Sequence, residues 1–280
     1  MKIFKSILLL NNFLNEIRSQ NKTIGFVPTM GALHSGHLSL LKKSKSENDF
    51  TICSIFVNPK QFNNKEDLEK YPRNIEDDIE ILKTVNCDIL FCPSEEEMYP
   101  EKNDEIFDLG GLDKVMEGKY RPGHFNGVAI VVKRFFDIIM PNQAYFGEKD
   151  FQQMRIIQHI VGFNKMPIQI VPAPIEREND GLAMSSRNVR LNQEERKIAP
   201  KIYQTLLNAK EMAINCTFSE VINYVNREIA SIKPFKLEYF EIVNIQNLKS
   251  VEDFSEKKNC IACIAVYLGD VRLIDNIILF

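Results

Sequence analysis

Up to about residue 170 the chain alternates short runs rich in apolar and β-branched residues with longer stretches of helical period. Thr23–Val27, Phe50–Val57, Asp88–Cys92, Ala144–Phe146 and Ile168–Pro172 read as strands. Gly36–Glu47, Asn74–Val85, Asn126–Ile139 and Lys149–Gly162 read as the helices between them. This order predicts an α/β, Rossmann-like fold: a parallel sheet with helices on both faces, and sites at the carboxyl ends of its strands. The pattern changes from about Pro174, where a loop runs to Arg190. One long helix is then expected, with Asn192 as N-cap, Glu195 closing a capping box, and Ile198, Ile202, Leu206 and Ala209 on one face. A second helix over Ser219–Ala230 and alternating strands at Leu237–Val243, Cys260–Leu268 and Val271–Asn276 complete a smaller α+β unit with an antiparallel sheet. The expected division is residues 1–175 and 176–280.

The apolar start, from Met1 to Leu10, has the look of a signal peptide, but Asn11, Asn12 and Asn15 follow at once and Glu16 and Arg18 continue a helical pattern. It reads as the amphipathic first helix of a cytoplasmic protein. The hydrophobic fraction of 44% and charged fraction of 26% over 280 residues describe an ordinary globular chain. No apolar stretch reaches the length of a membrane span. A net charge of −3 and a pI of about 5.9 argue against nucleic acid as a partner. Of the six cysteines, Cys260 and Cys263 form a C-x-x-C, but a strand there turns them to opposite faces, and no residue is assigned as a metal ligand.

Five segments carry candidate chemistry. Pro28–His37 runs from a strand into a helix whose first turn holds His34 and His37 three apart, on one face. With Gly31 and Gly36 for close approach and the free N–H groups of a helix start, it reads as a phosphate cradle with two imidazole donors. Ser54–Phe62 presents Asn58 and Gln61, neutral amides suited to hydroxyls and carboxylates, where Pro59 ends a strand; Tyr71 follows nearby. Glu117–Gly127 is a glycine-rich loop with Lys119 and Arg121 beside a helix start. Phe146–Gln153 sets Lys149 to reach a phosphate, Asp150 to meet a ribose hydroxyl or a magnesium-bound water, and Gln153 one turn on. Asp180–Asn188 gathers Ser185, Ser186 and Arg187 at the junction between the two units. Phosphate donors abound, while the P-loop and G-x-G-x-x-G strings and a defensible nucleophile triad are absent from the sequence. The chemistry inferred is nucleotidyl transfer by positioning and charge stabilisation.

His34-Ser35-Gly36-His37 resembles the HIGH motif of the nucleotidyltransferase superfamily, and Met184–Asn188 its second phosphate loop. The longer strings Pro28–His34, Phe56–Phe62, Gly147–Asp150 and Gly181–Asn188 resemble the pantothenate synthetase family over nearly the whole chain. The resemblance implies ligation of pantoate and β-alanine through a pantoyl-adenylate, with ATP as substrate, Mg2+, a cytoplasmic homodimer, and a C-terminal lid. Carried over by position, Met30, Gly31, Ala32, Leu33, His34, Ser35, Gly36 and His37 would hold ATP, with His37 as the usual proton donor. Gly147, Glu148, Lys149 and Asp150 would bind the nucleotide, and Met184, Ser185, Ser186 and Arg187 would close on its phosphates. His34, His37, Lys149 and Arg187 are the catalytic candidates. Gln61 and Gln153 would hold pantoate, with Asn58, Tyr71, Glu117 and Arg121 at lesser positions. Glu176 stands where the family commonly has an apolar residue whose backbone meets adenine, so the direction of its carboxylate is open. The alternatives are a cytidylyl- or adenylyltransferase with the same motif, which would be shorter and lack the Gln61 and Gly147–Asp150 strings, or a non-catalytic nucleotide-binding protein of the same fold.

Overall fold

The computed structural model describes residues 1–63, 65–101, 105–251 and 259–280. Its first sheet has the strands β1 (Lys2–Phe4), β2 (Ile24–Thr29), β3 (Phe50–Ile55), β4 (Ile89–Phe91), β5 (Gln143–Gly147) and β6 (Gln169–Ala173). All are parallel, in the order β1-β4-β3-β2-β5-β6. The helices that accompany them are α1 (Ile7–Ser19), α2 (Ser35–Glu47), α3 (Lys65–Glu69), α4 (Ile75–Thr84), α5 (Glu95–Met98), α6 (Met116–Tyr120), α7 (His124–Ile139) and α8 (Phe151–Phe163). One face of the sheet packs Phe26, Ile52 and Phe91 against α1, α7 and α8; the other packs Val27, Cys53 and Leu90 against α2 and α4. The doubly covered parallel sheet is therefore the one expected.

The remaining elements are α9 (Gln193–Ile198), α10 (Lys201–Ala213), α11 (Phe218–Ser231) and the antiparallel strands β7 (Phe235–Asn244), β8 (Cys260–Leu268) and β9 (Val271–Ile278). This second sheet is buried on both faces. Phe240, Ile242, Cys260, Ala262 and Ile264 pack on α10 and α11, while Tyr239, Val243, Ile261, Cys263 and Ala265 join the core of the first sheet. Cys260 and Cys263 lie on opposite faces of β8, as a period of two requires, and both are free thiols.

Two expectations need correction. The N-terminus opens with β1, which pairs with β4 at the sheet edge, and only then becomes an amphipathic helix that buries Leu10, Leu14 and Ile17. The long helix from Asn192 is two. Its capping box forms as read, but α9 ends at Ile198 and α10 begins after Pro200, whose ring and missing N–H interrupt the ladder. Ile202 and Leu206 keep the face that the period predicts.

Candidate active site

The cleft arises from how β2 and β5 part. They pair only at Gly25↔Gln143 and Phe26↔Ala144, whereas β2 pairs with β3 over six positions and β5 with β6 over five. The carbonyl of Ile24 accepts from Asn142, on the β5 side. Alternation then points Phe26 and Pro28 the same way, and Pro28 has no N–H to give. The ladder stops and the strands splay toward their carboxyl ends. Connections from β2 and β5 also run in opposite directions along the sheet, so this is its topological switch point. The resulting cleft encloses about 1250 Å3, including the part open to solvent.

The loop after β2 is pinned from behind. Asp78, on α4, accepts from the backbone N–H groups of Ala32 at 3.0 Å and Leu33 at 2.7 Å. Gly31 has φ of +81°, and a Cβ there would lie 2.9 Å from the Asp78 carboxylate, so only glycine fits. The first turn of α2 differs from the expected set of free N–H groups. His34 Nδ1 accepts from Gly36 N at 3.1 Å, and His37 Nδ1 accepts from His34 N at 3.3 Å, a reciprocal capping box made of histidines. Each Nδ1 is thereby an acceptor, which leaves the proton on Nε2. The rings sit 4.1 Å apart at the cleft wall. Burial, with Lys149 nearby, lowers His34 to about 4; burial, with His34 and Lys149, lowers His37 to about 3. Both are neutral N–H donors at pH 7.

The amide cluster is equally preset. Asn58 Nδ2 donates to Gln61 Oε1 at 3.0 Å and to the Gly127 carbonyl at 3.1 Å. Its Oδ1 accepts from Tyr99 at 2.8 Å and from Lys60 N at 3.3 Å. With both ends committed, Asn58 sets Gln61. Gln61 Nε2 reaches the Met30 sulfur at 3.3 Å, and its carbonyl accepts from His124 Nδ1 at 2.7 Å. Burial lowers His124 to about 4. Val128, Val131, Val132 and Phe135 of α7 give this end of the cleft an apolar floor. On α8, Gln152 turns inward to bond Leu112 and Val115 carbonyls, and Gln153 turns to the cleft.

Of the remaining candidates, Met30, Gly36, Tyr71, Gly147, Lys149, Asp150, Glu176, Met184, Ser185, Ser186 and Arg187 also line the cleft. Tyr71 and Ser186 hydroxyls meet at 3.3 Å across it, and Ser35 touches the Met184 sulfur just outside. Arg187 pairs with Asp67 at 3.1 Å. Gly31, Ala32, Leu33 and Ser35 shape the wall without lining it, and Glu148 turns away. Arg121 lies elsewhere: it pairs with Glu117 at 3.2 Å and lines an adjoining charged groove with Arg187 and Arg190. Sequence reasoning missed Asp78, His124 and the α7 floor. The first two are polar residues buried among apolar neighbours, and α7 is apolar nearly all round.

The sequence profile of pantoate-beta-alanine ligases matches residues 2–278. The chain belongs to the pantoate-beta-alanine ligase family. It is 48% identical to the pantothenate synthetase of Porphyromonas gingivalis over 277 residues, 99% of each chain. It is 49% identical to that of Bacteroides fragilis over 277 residues, covering 99% of this chain and 98% of the other. Among solved structures, pantothenate synthetase from Thermus thermophilus superposes with a TM-score of 0.93 at 38% identity, covering both chains completely. Pantoate-beta-alanine ligase from Francisella tularensis, complexed with beta-gamma ATP and beta-alanine, gives 0.83 at 39% identity, over 100% of this chain and 98% of that one. Family membership fits a cleft lined by histidines, Lys149, two serines and Arg187 together with amides and an apolar floor.

Proposed function

We propose that this protein joins pantoate to β-alanine with ATP as co-substrate, forming pantothenate, AMP and pyrophosphate. The observation that carries the reading is the make-up of the cleft lining. His34, His37, Lys149, Ser185, Ser186 and Arg187 share it with Gln61, Gln153 and the valines of α7, and Asn58 ties Gln61 to the Gly127 carbonyl of that helix. A branched hydroxy acid suits the part around Gln61: its methyl groups meet valines, and its hydroxyls and carboxylate meet neutral amides.

In the first step a pantoate carboxylate oxygen attacks the α-phosphorus, and the bond to pyrophosphate breaks. The step has little need of proton transfer, but it forces an anion toward a polyanion. Lys149 and Arg187 offset that repulsion, and the two Nε2–H groups donate to phosphoryl oxygens without adding charge. On this reading His37 stabilises charge rather than giving up a proton. Arg187 exchanges Asp67 for phosphate as it does so. In the second step the amine of β-alanine attacks the acyl carbon, AMP leaves, and the amine's proton passes to solvent.

The family implies Mg2+, and the residues present fit it in one way. Magnesium is commonly held by substrate phosphates with one or two carboxylates, and Asp150 is a half-exposed carboxylate on the cleft wall beside Lys149. Asp150 would hold the ion or a water on it, and the ion would supply further neutralisation of phosphate charge. Residues 176–280 act as the lid on this reading, and the protein works as a cytoplasmic homodimer, as the family resemblance implies. No helix among the described residues is long and apolar enough to cross a membrane.

The test is to mix the protein with ATP, Mg2+, pantoate and β-alanine and to omit one component at a time. AMP should appear only with all four, and pantoate-dependent pyrophosphate release should persist as a single turnover without β-alanine. AMP release that ignores pantoate would refute the reading.

A further inference from the structure

Two residues of β9 approach the phosphate machinery from behind. Asn276 is 5% exposed, and its Nδ2 donates to the carbonyl of Glu148 at 2.8 Å and to that of Lys149 at 3.1 Å. Asp275, also 5% exposed, accepts from both terminal nitrogens of Arg177, at 2.7 and 2.9 Å, and from the N–H of Asn276 at 2.8 Å. Arg177 in turn donates to the Gly181 carbonyl at 3.1 Å and stacks 3.5 Å over the Tyr203 ring. Its backbone bridges to Ala183, the residue before Met184–Arg187. One buried dipeptide therefore grips the turn that projects Lys149 and, through Arg177, the strap that carries Ser185, Ser186 and Arg187. Those two segments follow β5 and β6 respectively, and neither lies within a strand itself. Neither Asp275 nor Asn276 lines the cleft.

Burying an amide and a carboxylate in a strand is costly unless each finds partners. Here the partners outside the pair are the Arg177 guanidinium and the Glu148 and Lys149 carbonyls. Asparagine suits the place because one nitrogen supplies two N–H groups to two carbonyls, which a carboxylate of the same shape cannot do. We propose that Asp275 and Asn276 are a positioning pair that fixes Lys149 and the Ser185–Arg187 loop in register around the triphosphate. The proposal rests on the reading of Lys149 as a phosphate donor.

The experiment measures ATP- and pantoate-dependent AMP release, with melting midpoints, for wild type, Lys149→Ala, Asn276→Ala and the double variant. A misplacement of about 1 Å can cost on the order of a hundredfold. Asn276→Ala should lower kcat by about ten- to a hundredfold, with the KM for β-alanine nearly unchanged. In the double variant the further loss beyond Lys149→Ala should be less than about threefold, because the second change removes support for a group already gone. Asn276→Ser, which keeps a donor on a shorter arm, should recover part of the loss, and it serves as the second variant should the alanine form not fold. Losses that multiply in the double variant would mark a merely structural role and overturn the proposal, as would wild-type turnover by Asn276→Ala beside an impaired Lys149→Ala. So would failure of both Asn276 variants to fold. Wild-type turnover by Lys149→Ala would overturn the reading of Lys149 itself, and the proposal with it.

Discussion

At the scale of residues, the cleft replaces mobile charge with fixed donors. Lys149 is a cation whose charge bears on both rings of the histidine pair. Removing one preorganised donor of this kind typically costs about 10²–10³ in rate. Lys149→Ala and His37→Ala should each lose turnover on that scale while keeping far-UV dichroism; wild-type AMP release by either would remove that residue from the chemistry. The histidines also set a pH expectation. With His34 at about 4 and His37 at about 3, neither changes charge between pH 5 and 8. The kcat profile should lack a limb near pH 6.5 from these groups, and His37→Gln should keep the profile's shape at lower height. An acidic limb near 6.5 present in wild type and lost in His37→Gln would show instead that the ring titrates in the working enzyme.

At the scale of elements, the site depends on two close approaches that leave no room for a side chain. One, at Gly31, is described above; the other is Gly127 on α7, where a Cβ would stand 2.2 Å from the Lys60 carbonyl and 2.8 Å from the Gln61 Cα. The helix presses on the turn that presents Gln61, so Gly127→Ala must push them apart. It should cost about 1–3 kcal/mol in denaturant unfolding and raise the KM for pantoate; an unaltered KM would mean that Gln61 does not depend on this contact. Much of this scale was legible in the sequence. Five of the six parallel strands, the main helices, the antiparallel sheet and the facing of Cys260 and Cys263 follow from periods of 2 and 3.6. β1 escaped because three residues are too few to show a period beside a strong helical pattern. The break at Pro200 escaped because α9 and α10 keep one apolar face across it. At the site, the clustering of His34, His37, Lys149 and Ser185 was legible because each closes a recognisable strand-to-helix or loop string. Asp78 and Asn276 were not. Polar residues in a helix or strand ordinarily mark the solvent side, and only tertiary contact reveals that these two point inward to backbone.

At the scale of the whole molecule, the question is what keeps the two sheets aligned. Beyond the shared apolar core, Arg272 of β9 donates to Glu117 of α6 at 2.9 Å and to Glu238 of β7 at 2.9 and 2.6 Å. Arg272→Leu would leave Glu238 without its cation and Glu117 with Arg121 alone in a largely buried place, so unfolding free energy should fall by about 3–5 kcal/mol; a loss under about 1 kcal/mol would mean that water replaces the pair freely. Acid acts on the same balance from the other direction. His34, His37 and His124 are held neutral by burial, at about 4, 3 and 4, against 6.5 in the unfolded chain. Below pH 6.5 the unfolded chain therefore binds protons that the folded one refuses, and stability falls with falling pH until the folded values are passed. The slope approaches about 1.4 kcal/mol per pH unit for each ring. Glu117 joins later: burial raises it, but Arg272 and Arg121 outweigh that and hold it at about 2, so its contribution is present above its ordinary value of 4.5 and lost as pH falls toward 2. Acid loosening should thus begin near pH 6.5, well above the carboxylate range. In urea unfolding at pH 7, 6 and 5, His124→Gln should flatten the decline by about the share of one ring, since it keeps a donor for the Gln61 carbonyl but cannot titrate. A decline as steep as that of wild type would show that His124 takes up its proton in the folded state.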